Sequence, residues 1–267
     1  MPREITSFSN TTVKLLRSLR DKKARRAERL FLAEGLRIVT EARDEGRLPS
    51  ILAFAEAGAS HPLAQEIIGQ VEAAGGDTIL TTPDILTKMS GKSNPQALVA
   101  AYEQPDTALS AIDRTTSDIW FVGQSLRDPG NIGTILRTGD AVGAGGLILL
   151  DDSADPFAVE TVRASMGALF TQKLAQADWG DFLHWLRSGD GQLVGTSLQT
   201  DHDYRDAPYT APCFLLVGNE AQGLPEEYEA ACDLLVRIPM HGRADSLNAA
   251  IAAAVTAYQV RSGWRNR

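Results

Sequence analysis

Residues 214–255 read FLLVGNEAQGLPEEYEAACDLLVRIPMHGRADSLNAAIAAAV, and this stretch decides how the carboxyl-terminal half folds. Its first apolar run ends at Gly218 and is followed by an acid, Glu220. A second apolar run ends at Ile238, and a loop then leads through Ser-Leu-Asn into an alanine-rich helix. Polar groups at the ends of buried strands are where open α/β sheets bind ligands. Three such ends close together in the chain therefore predict a ligand site.

The sequence upstream of this stretch continues the same alternation of apolar runs and helical patterns. Strands are predicted at 119–122, 147–150, 193–196, 214–217 and 234–238. Helices are predicted at 131–142, 158–169, 179–187, 225–231 and 246–262. The strand runs are almost continuously apolar, which is typical of a parallel sheet covered on both faces. Strand–helix alternation with right-handed crossovers predicts a doubly wound, parallel-sheet α/β domain.

The amino-terminal part predicts a second, smaller α/β domain. Helices are predicted at 11–27, 35–45, 61–74 and from Pro83 onward, and strands at 50–54, 77–81 and 97–102. A polar stretch that contains Pro105 follows, and such a stretch is typical of a linker. The predicted organisation is a domain at 1–104, a linker at 105–117 and a larger domain at 118–267.

Length and composition restrict the class of protein. A chain of 267 residues suits one large or two medium domains. It has neither a signal-peptide core nor an apolar run of the roughly 18 residues that span a bilayer, so we expect a cytoplasmic protein without a membrane partner. Cys213 and Cys232 lie in or beside apolar runs and are expected to be buried, reduced thiols. Four scattered histidines predict no metal site.

The charge is unevenly distributed along the chain. The net charge of −8 argues against a general polyanion binder, yet residues 1–47 carry twelve Lys and Arg against seven Asp and Glu. A basic stripe is formed by Lys14, Arg17, Arg20, Lys22, Lys23, Arg25, Arg26 and Arg29. Such a stripe is either a solvated helix face or an arm that contacts nucleic-acid phosphates.

The segment QSLRDPGNIGTILR, residues 124–137, directly follows a predicted strand. Asn131 suits a helix N-cap, because its side-chain oxygen can accept from free amides of the first turn. Arg137 lies among apolar residues, where an unpaired guanidinium is costly to bury. Two interpretations of Arg137 stay open: it holds a phosphate or another planar anion, or it forms an internal salt bridge to Glu220 or Asp140.

Three further features need an interpretation. The glycines of GDAVGAGG, residues 139–146, close a helix rather than open one, so they predict a helix end and turn instead of a dinucleotide fingerprint. Glu220 is either a surface charge or a functional carboxylate at a strand end. Ser246 is the predicted N-cap of the final helix. The alanine density of that helix suits either a tight core or a dimer contact.

Taken together, three blocks of this chain resemble the signature of the SpoU family of RNA ribose 2′-O-methyltransferases. The blocks are NIGTILRTGDAVG, LLVGNEAQGL and IPMHGRADSLNAA, and the resemblance covers residues 118–264. Each block alone is weak, whereas the three in this order and spacing are specific. More loosely, RLFLAEGLRIVTEA at residues 29–42 resembles the start of the family's accessory RNA-binding domain, which is of the ribosomal-protein L30e type.

The resemblance implies a deep trefoil knot in the catalytic domain and S-adenosylmethionine as the cofactor. It implies cofactor contacts at Gly218, Ile238 and Leu247, and less securely at Thr196 and Met240. It implies catalytic and substrate roles for Asn131, Arg137, Glu220, Ser246 and Asn248. Arginine stays protonated in water and is a poor base. We therefore expect Arg137 to anchor phosphate and to lower the pKa of the ribose hydroxyl.

The predicted function is thus S-adenosylmethionine-dependent methylation of a ribose 2′-hydroxyl. The two-domain layout favours ribosomal RNA over transfer RNA as the substrate, and the resemblance implies a homodimer through the catalytic domains. A catalytically inactive RNA-binding protein on the same scaffold is the alternative from another class. The sequence does not identify the methylated nucleotide.

Overall fold

The computed structural model describes residues 1–91, 96–219 and 222–264. The chain divides into two compact units, each built on its own sheet. The first unit contains Met1–Pro105 and Asp155–Phe170, and the second contains Asp106–Ala154 and Thr171–Arg267. Within the described ranges, no helix is both long enough and apolar enough to cross a membrane.

The first unit has a mixed sheet of five strands in the order β1-β4-β3-β5-β2. Its strands are β1 (Arg3–Ile5), β2 (Leu30–Glu34), β3 (Ile51–Phe54), β4 (Asp77–Thr81) and β5 (Leu98–Glu103). Its helices are α1 (Thr11–Ser18), α2 (Lys22–Glu28), α3 (Leu36–Asp44), α4 (Glu56–Ala59), α5 (Pro62–Ala73) and α6 (Pro83–Ser90). Strand β5 is antiparallel to β2 and β3, and the other pairs are parallel.

The single helix predicted over residues 11–27 is two helices in the structure. Asn10 caps α1 by accepting from the backbone N–H of Thr12, and Asp21 caps α2 by accepting from that of Lys23. Asp is a strong N-cap residue, because its oxygen satisfies an amide that has no partner inside the helix. The capping side chain at position 21 therefore starts a new helix where the apolar periodicity alone predicted continuation.

The second unit has a six-stranded sheet in the order β11-β9-β10-β6-β7-β8. Its strands are β6 (Ile119–Gln124), β7 (Gly146–Leu150), β8 (Lys173–Ala177), β9 (Gln192–Thr196), β10 (Cys213–Val217) and β11 (Leu234–Val236). The later helices of the chain are α7 (Pro129–Val142), α8 (Val159–Ser165), α9 (Ala168–Thr171), α10 (Trp179–Arg187), α11 (Glu226–Ala231) and α12 (Ala249–Trp264). All strand pairs are parallel, which confirms the predicted α/β class.

The centre of this sheet is fully buried. Every residue of β6 and β10 is buried, and the rings of Trp120 and Phe214 on these neighbouring strands stack with centroids 6.3 Å apart. Both cysteines are free thiols, Cys213 buried in β10 and Cys232 partly buried after α11. Burial raises the pKa of each thiol to about 12, so both are protonated and unreactive near neutral pH.

The segment Asp155–Phe170 follows β7 in the chain but belongs to the first unit. Its Phe157 ring lies 5.2 Å from that of Phe31 on β2, and its Val159 joins the first unit's apolar core. The helix predicted over 158–169 is two short helices in the structure, α8 and α9. Most of their residues pack against the rest of the amino-terminal unit.

Candidate active site

The loops that follow β9, β10 and β11 open onto one cavity of about 700 Å³ at the carboxyl edge of the second unit's sheet. The lining includes every residue for which the resemblance implies a cofactor contact, namely Thr196, Gly218, Ile238, Met240 and Leu247. Ser246 lines the same cavity. The structure thus gathers side chains that are distant in the chain, while their contacts with a cofactor stay a prediction.

Gly218 lies in close contact with the backbone of the same loop a few residues later. A Cβ at this position would lie 2.4 Å from the carbonyl carbon of Gly223 and 2.6 Å from the backbone nitrogen of Leu224. The loop is closed by a hydrogen bond from the Gly223 N–H to the Asn219 carbonyl at 2.9 Å. Only glycine fits at position 218, so the cavity wall here is bare backbone that can contact a ligand directly.

The charged side chains in the described lining of the cavity are all acidic. Glu226, Glu229 and Asp245 line the cavity, and among the described lining residues there is no Lys, Arg or His. The Ser197 hydroxyl donates to Oε1 of Glu229 at 2.5 Å, which fixes one of these carboxylates at the wall. None of these three acids was among the predicted site residues. The acidic start of α11, directly after the glycine loop, was the signal that could have identified two of them.

This cavity suits S-adenosylmethionine. Its volume lies within the range of about 300–1,000 Å³ that is typical of small-molecule sites. Val217, Val236 and Leu247 supply apolar contacts for a planar ring, and the three acids complement a sulfonium and an ammonium group. Among the described residues, these three acids included, no three His, Cys, Asp or Glu side chains are grouped so that they could hold a metal ion.

Asn131 and Asn248, which lie 117 residues apart in the chain, are hydrogen-bonded to each other. The side-chain Nδ2 of Asn248 donates to Oδ1 of Asn131 at 2.8 Å. Asn131 is buried in the first turn of α7, with 6% of its surface exposed. Helices α7 and α12 pack along each other. The pair therefore joins the starts of two packed helices beside Leu247 and Ala249, which line the cavity.

The N-caps of these two helices differ from the prediction. Asp128, not Asn131, caps α7, since its side chain accepts from the Gly130 N–H at 2.7 Å. Asn248, not Ser246, caps α12, since its Oδ1 accepts from the Ala250 N–H at 2.9 Å. Pro129 at the first helical position moves the start of α7 two residues upstream, which leaves Asn131 inside the helix.

Arg137 lies on the exposed side of α7, so the expectation that its guanidinium is buried was wrong. In the described part of the chain it makes no hydrogen bond or ion pair. The alternative interpretation, an ion pair to Asp140, is not realised, and Asp140 instead accepts from the Thr171 hydroxyl at 2.7 Å. Glu220, the other predicted partner and a predicted catalytic residue, lies outside the described residues. The Arg137 side chain is therefore available to a ligand.

The basic stripe of the first unit is exposed except for one member. Arg25 is 3% exposed, and its guanidinium donates to Oδ2 of Asp155 at 2.7 Å and to the carbonyls of Leu19 and Arg20 at 2.8 Å. Arg25 thus forms an ion pair within the protein and is not a phosphate contact. The remaining members form an exposed basic face: Lys14, Arg17, Arg20, Lys22, Lys23, Arg26 and Arg29.

Comparison with known families gives two matches. Residues 118–258 match the SpoU rRNA Methylase family, and residues 10–100 match the MRM3-like substrate binding domain. The first match covers more than half of the chain, and the second covers most of the amino-terminal part.

Several full-length proteins are similar to this chain. A 23S rRNA (guanosine(2553)-2′-O)-methyltransferase of Bacillus subtilis is 30% identical over 97% of this chain and 99% of its own length. A 23S rRNA (uridine(2479)-2′-O)-methyltransferase of Streptomyces viridochromogenes is 34% identical over 90% of this chain and 84% of its own length. A crystal structure of a Sinorhizobium meliloti rRNA methyltransferase with S-adenosylmethionine bound is 38% identical, with a TM-score of 0.91 over 98% of both chains.

Proposed function

This chain belongs to the SpoU rRNA methylase family, and we propose that it transfers the methyl group of S-adenosylmethionine to a ribose 2′-hydroxyl of ribosomal RNA. The observation that carries the proposal is the single cavity onto which the loops after β9, β10 and β11 open, beside the Asn131–Asn248 pair. Both full-length relatives described above are named for 23S rRNA, which favours ribosomal RNA over transfer RNA.

The residues that line the cavity and the Asn131–Asn248 pair beside it have distinct roles in this reaction. S-adenosylmethionine supplies an electrophilic methyl group, and the bare backbone at Gly218 and the apolar side chains of Ile238 and Leu247 would hold it. Because methyl transfer needs an aligned oxygen, positioning supplies much of the rate. The Asn131–Asn248 pair fixes the helix starts beside the cavity and orients the ribose.

Arg137 acts on the RNA rather than on the donor. Its exposed guanidinium, which has no partner among the residues that the structure describes, can bind a backbone phosphate in a bidentate manner. A fixed positive charge beside the ribose also lowers the pKa of the 2′-hydroxyl, which eases loss of its proton during transfer. Arginine stays charged throughout, so it acts as an electrostatic anchor and not as the base. With this side chain present, an inactive RNA-binding protein is the weaker alternative.

The amino-terminal part is proposed to bind RNA. We assign residues 1–104 to an L30e-like RNA-binding domain, 105–117 to a linker and 118–267 to the catalytic domain. The exposed basic face of α1 and α2 suits phosphate contacts, whose contribution to affinity falls as salt rises. RNA binding by Arg26→Ala should accordingly be weaker and less salt-dependent than that of the wild type. If the salt dependence is unchanged, the basic face is a solvated helix surface that does not contact RNA.

A homodimer through the catalytic domain is proposed from the surface of α12 and the loop before it. Leu247, in the loop before α12, is 36% exposed, and Ile251 and Tyr258, which lie on one face of α12, are 48% and 53% exposed. Large exposed apolar side chains in a row are typical of an interaction surface. Analytical ultracentrifugation should give a dimer at micromolar concentration and a monomer for Ile251→Lys. A stable wild-type monomer would contradict the proposal.

Two further features are proposed, the first from the family resemblance and the second from the apolar pattern of the sequence. We propose that the carboxyl-terminal segment is threaded into a deep trefoil knot and that the protein works in the cytoplasm with its RNA. The knot stays a prediction that an experimental chain trace of the second unit would test. The cellular location is testable by fractionation, in which the protein should appear in the soluble fraction.

The function itself is tested by mapping ribose methylation in ribosomal RNA from cells with and without this gene. One 2′-O-methyl group should disappear when the gene is deleted. Wild-type protein should restore that group, whereas Arg137→Ala should not. Identical methylation maps from the two strains, for both ribosomal and transfer RNA, would refute the proposal.

A further inference from the structure

A second cavity, of about 340 Å³, lies beside the first in the catalytic unit. Its walls come from the end of β6 and the loop after it, with Gln124, Ser125 and Arg127, and from the loop after β10, with Asn219 and Leu224. Strands β6 and β10 are neighbours, but the chain leaves β6 toward β7 and leaves β10 toward β11 on the opposite side. Such a topological switch point is where open α/β sheets bind ligands.

Gln124 presents an unpaired polar group at this position. The residue ends β6 and is 7% exposed. Its Nε2 donates to the Ser125 hydroxyl at 2.9 Å, while its Oε1 is buried without a hydrogen-bond partner. Turning the carboxamide over exchanges the two atoms but still leaves one of them unpaired. Buried polar atoms without partners are rare in folded proteins, so Gln124 has hydrogen-bonding capacity that a group entering this cavity can use.

The geometry of the adjoining loops keeps this cavity open. Ser125 has a left-handed backbone with φ of 48°, a conformation that is uncommon for residues other than glycine. Its carbonyl accepts from the side-chain Nδ2 of Asn219 at 2.9 Å. The loop after β6 is thus tied to the loop after β10, which also forms a wall of the cofactor cavity.

The charged residues that the structure describes differ between the two cavities. Those of the cofactor cavity are three acids, whereas the one charged residue among the described lining of the second cavity is Arg127. The Arg127 side chain is 62% exposed, and its nearest carboxylate, that of Asp152, is 3.5 Å away and itself 86% exposed. This weak surface pair leaves the guanidinium free to exchange its partner for a phosphate.

We propose that the second cavity holds the target nucleotide of the RNA, with its base against Gln124 and its phosphate at Arg127. This inference rests on the proposed function. Bases that proteins recognise in single-stranded RNA are splayed out and hydrogen-bonded on their edges, and the unpaired carboxamide atom of Gln124 provides such a bond. The shared wall at Asn219 and Leu224 places the ribose between the base site and the methyl donor.

The test compares Gln124→Met with Gln172→Met. Gln172 is a matched control, because its Oε1 is also buried without a partner while the residue lines neither cavity. Transfer of tritiated methyl groups from S-adenosylmethionine is measured on ribosomal RNA and ribosomal subunits from cells that lack the gene. Gln124→Met should raise the KM for RNA at least tenfold and leave the Kd for S-adenosylmethionine within twofold. Gln172→Met should change neither.

A KM for RNA within twofold of wild type, or an equal loss of S-adenosylmethionine affinity, would overturn the assignment of the second cavity. Should Gln124→Met not fold, exposed Arg127 carries the test: Arg127→Ala should raise the KM for RNA and reduce its salt dependence by about one phosphate contact. An unchanged KM and salt dependence would then overturn the inference. Absence of methyl transfer by the wild type would instead refute the proposed function, so the two failures are distinguishable.

Discussion

The hydrogen bond between Asn131 and Asn248 should be a main determinant of the stability of the catalytic unit. Asn248→Ala removes an N-cap, at a cost of about 1 kcal/mol. It also leaves the buried Oδ1 of Asn131 without this donor, at a cost of about 1–3 kcal/mol. The expected loss is therefore about 2–4 kcal/mol in the free energy of unfolding. Asn248→Ser keeps a capping oxygen and should lose only the second part.

Urea unfolding followed by tryptophan fluorescence measures this loss in the right part of the chain. All four tryptophans lie in the second unit, so their signal reports on that unit alone. The double variant Asn131→Ala with Asn248→Ala should be less destabilised than the sum of the single variants, by about 1 kcal/mol. A loss below about 0.5 kcal/mol for Asn248→Ala, or strictly additive effects, would refute the reasoning.

Three other outcomes are expected. Arg137→Ala should abolish methyl transfer yet keep the wild-type Tm and S-adenosylmethionine affinity, as calorimetry can test; retained activity would exclude its role. Arg25→Ala should destabilise the first unit by about 3 kcal/mol, because it leaves the Asp155 carboxylate, which is only 12% exposed, without its ion-pair partner, whereas exposed Arg26→Ala should not change the Tm. Cys213 and Cys232 should resist a thiol reagent at pH 8 until the protein unfolds. Since their folded pKa of about 12 exceeds the unfolded value of about 8.5, the stability they contribute should decline as pH rises above 8.5.

The sequence predicted the parallel sheet well because its strands are buried on both faces and read as apolar runs. Strand β8, Lys173–Ala177, was missed because it is an edge strand in which Lys173 and Gln176 interrupt the apolar run. The placement of Asp155–Phe170 in the first unit was not predictable, since apolar spacing indicates that a helix is buried but not against which core. Position 21 shows the reverse case, in which a local cap overrode a periodic pattern.

Within the candidate site, family resemblance selected the cavity residues but local rules misplaced the caps. Ser246 and Asn248 are both good N-cap residues, and the choice between them depends on Asn131, which is distant in the chain. Arg137 is exposed because it shares a helical face with exposed Thr134 and Ala141, whereas its apolar sequence neighbours Ile135 and Leu136 lie on the buried face. Of the three acids of the cofactor cavity, Glu226 and Glu229 were signalled only by their closeness to the glycine loop, and Asp245 only by its place directly before Ser246.

A crystal structure with S-adenosylmethionine would show directly whether the methyl donor binds in the proposed cofactor cavity. The donor should lie in the cavity among the loops after β9, β10 and β11, against the backbone of Gly218 and the side chains of Ile238 and Leu247. Density for the donor at another place, or well-ordered loops with no donor at saturating concentration, would contradict the account.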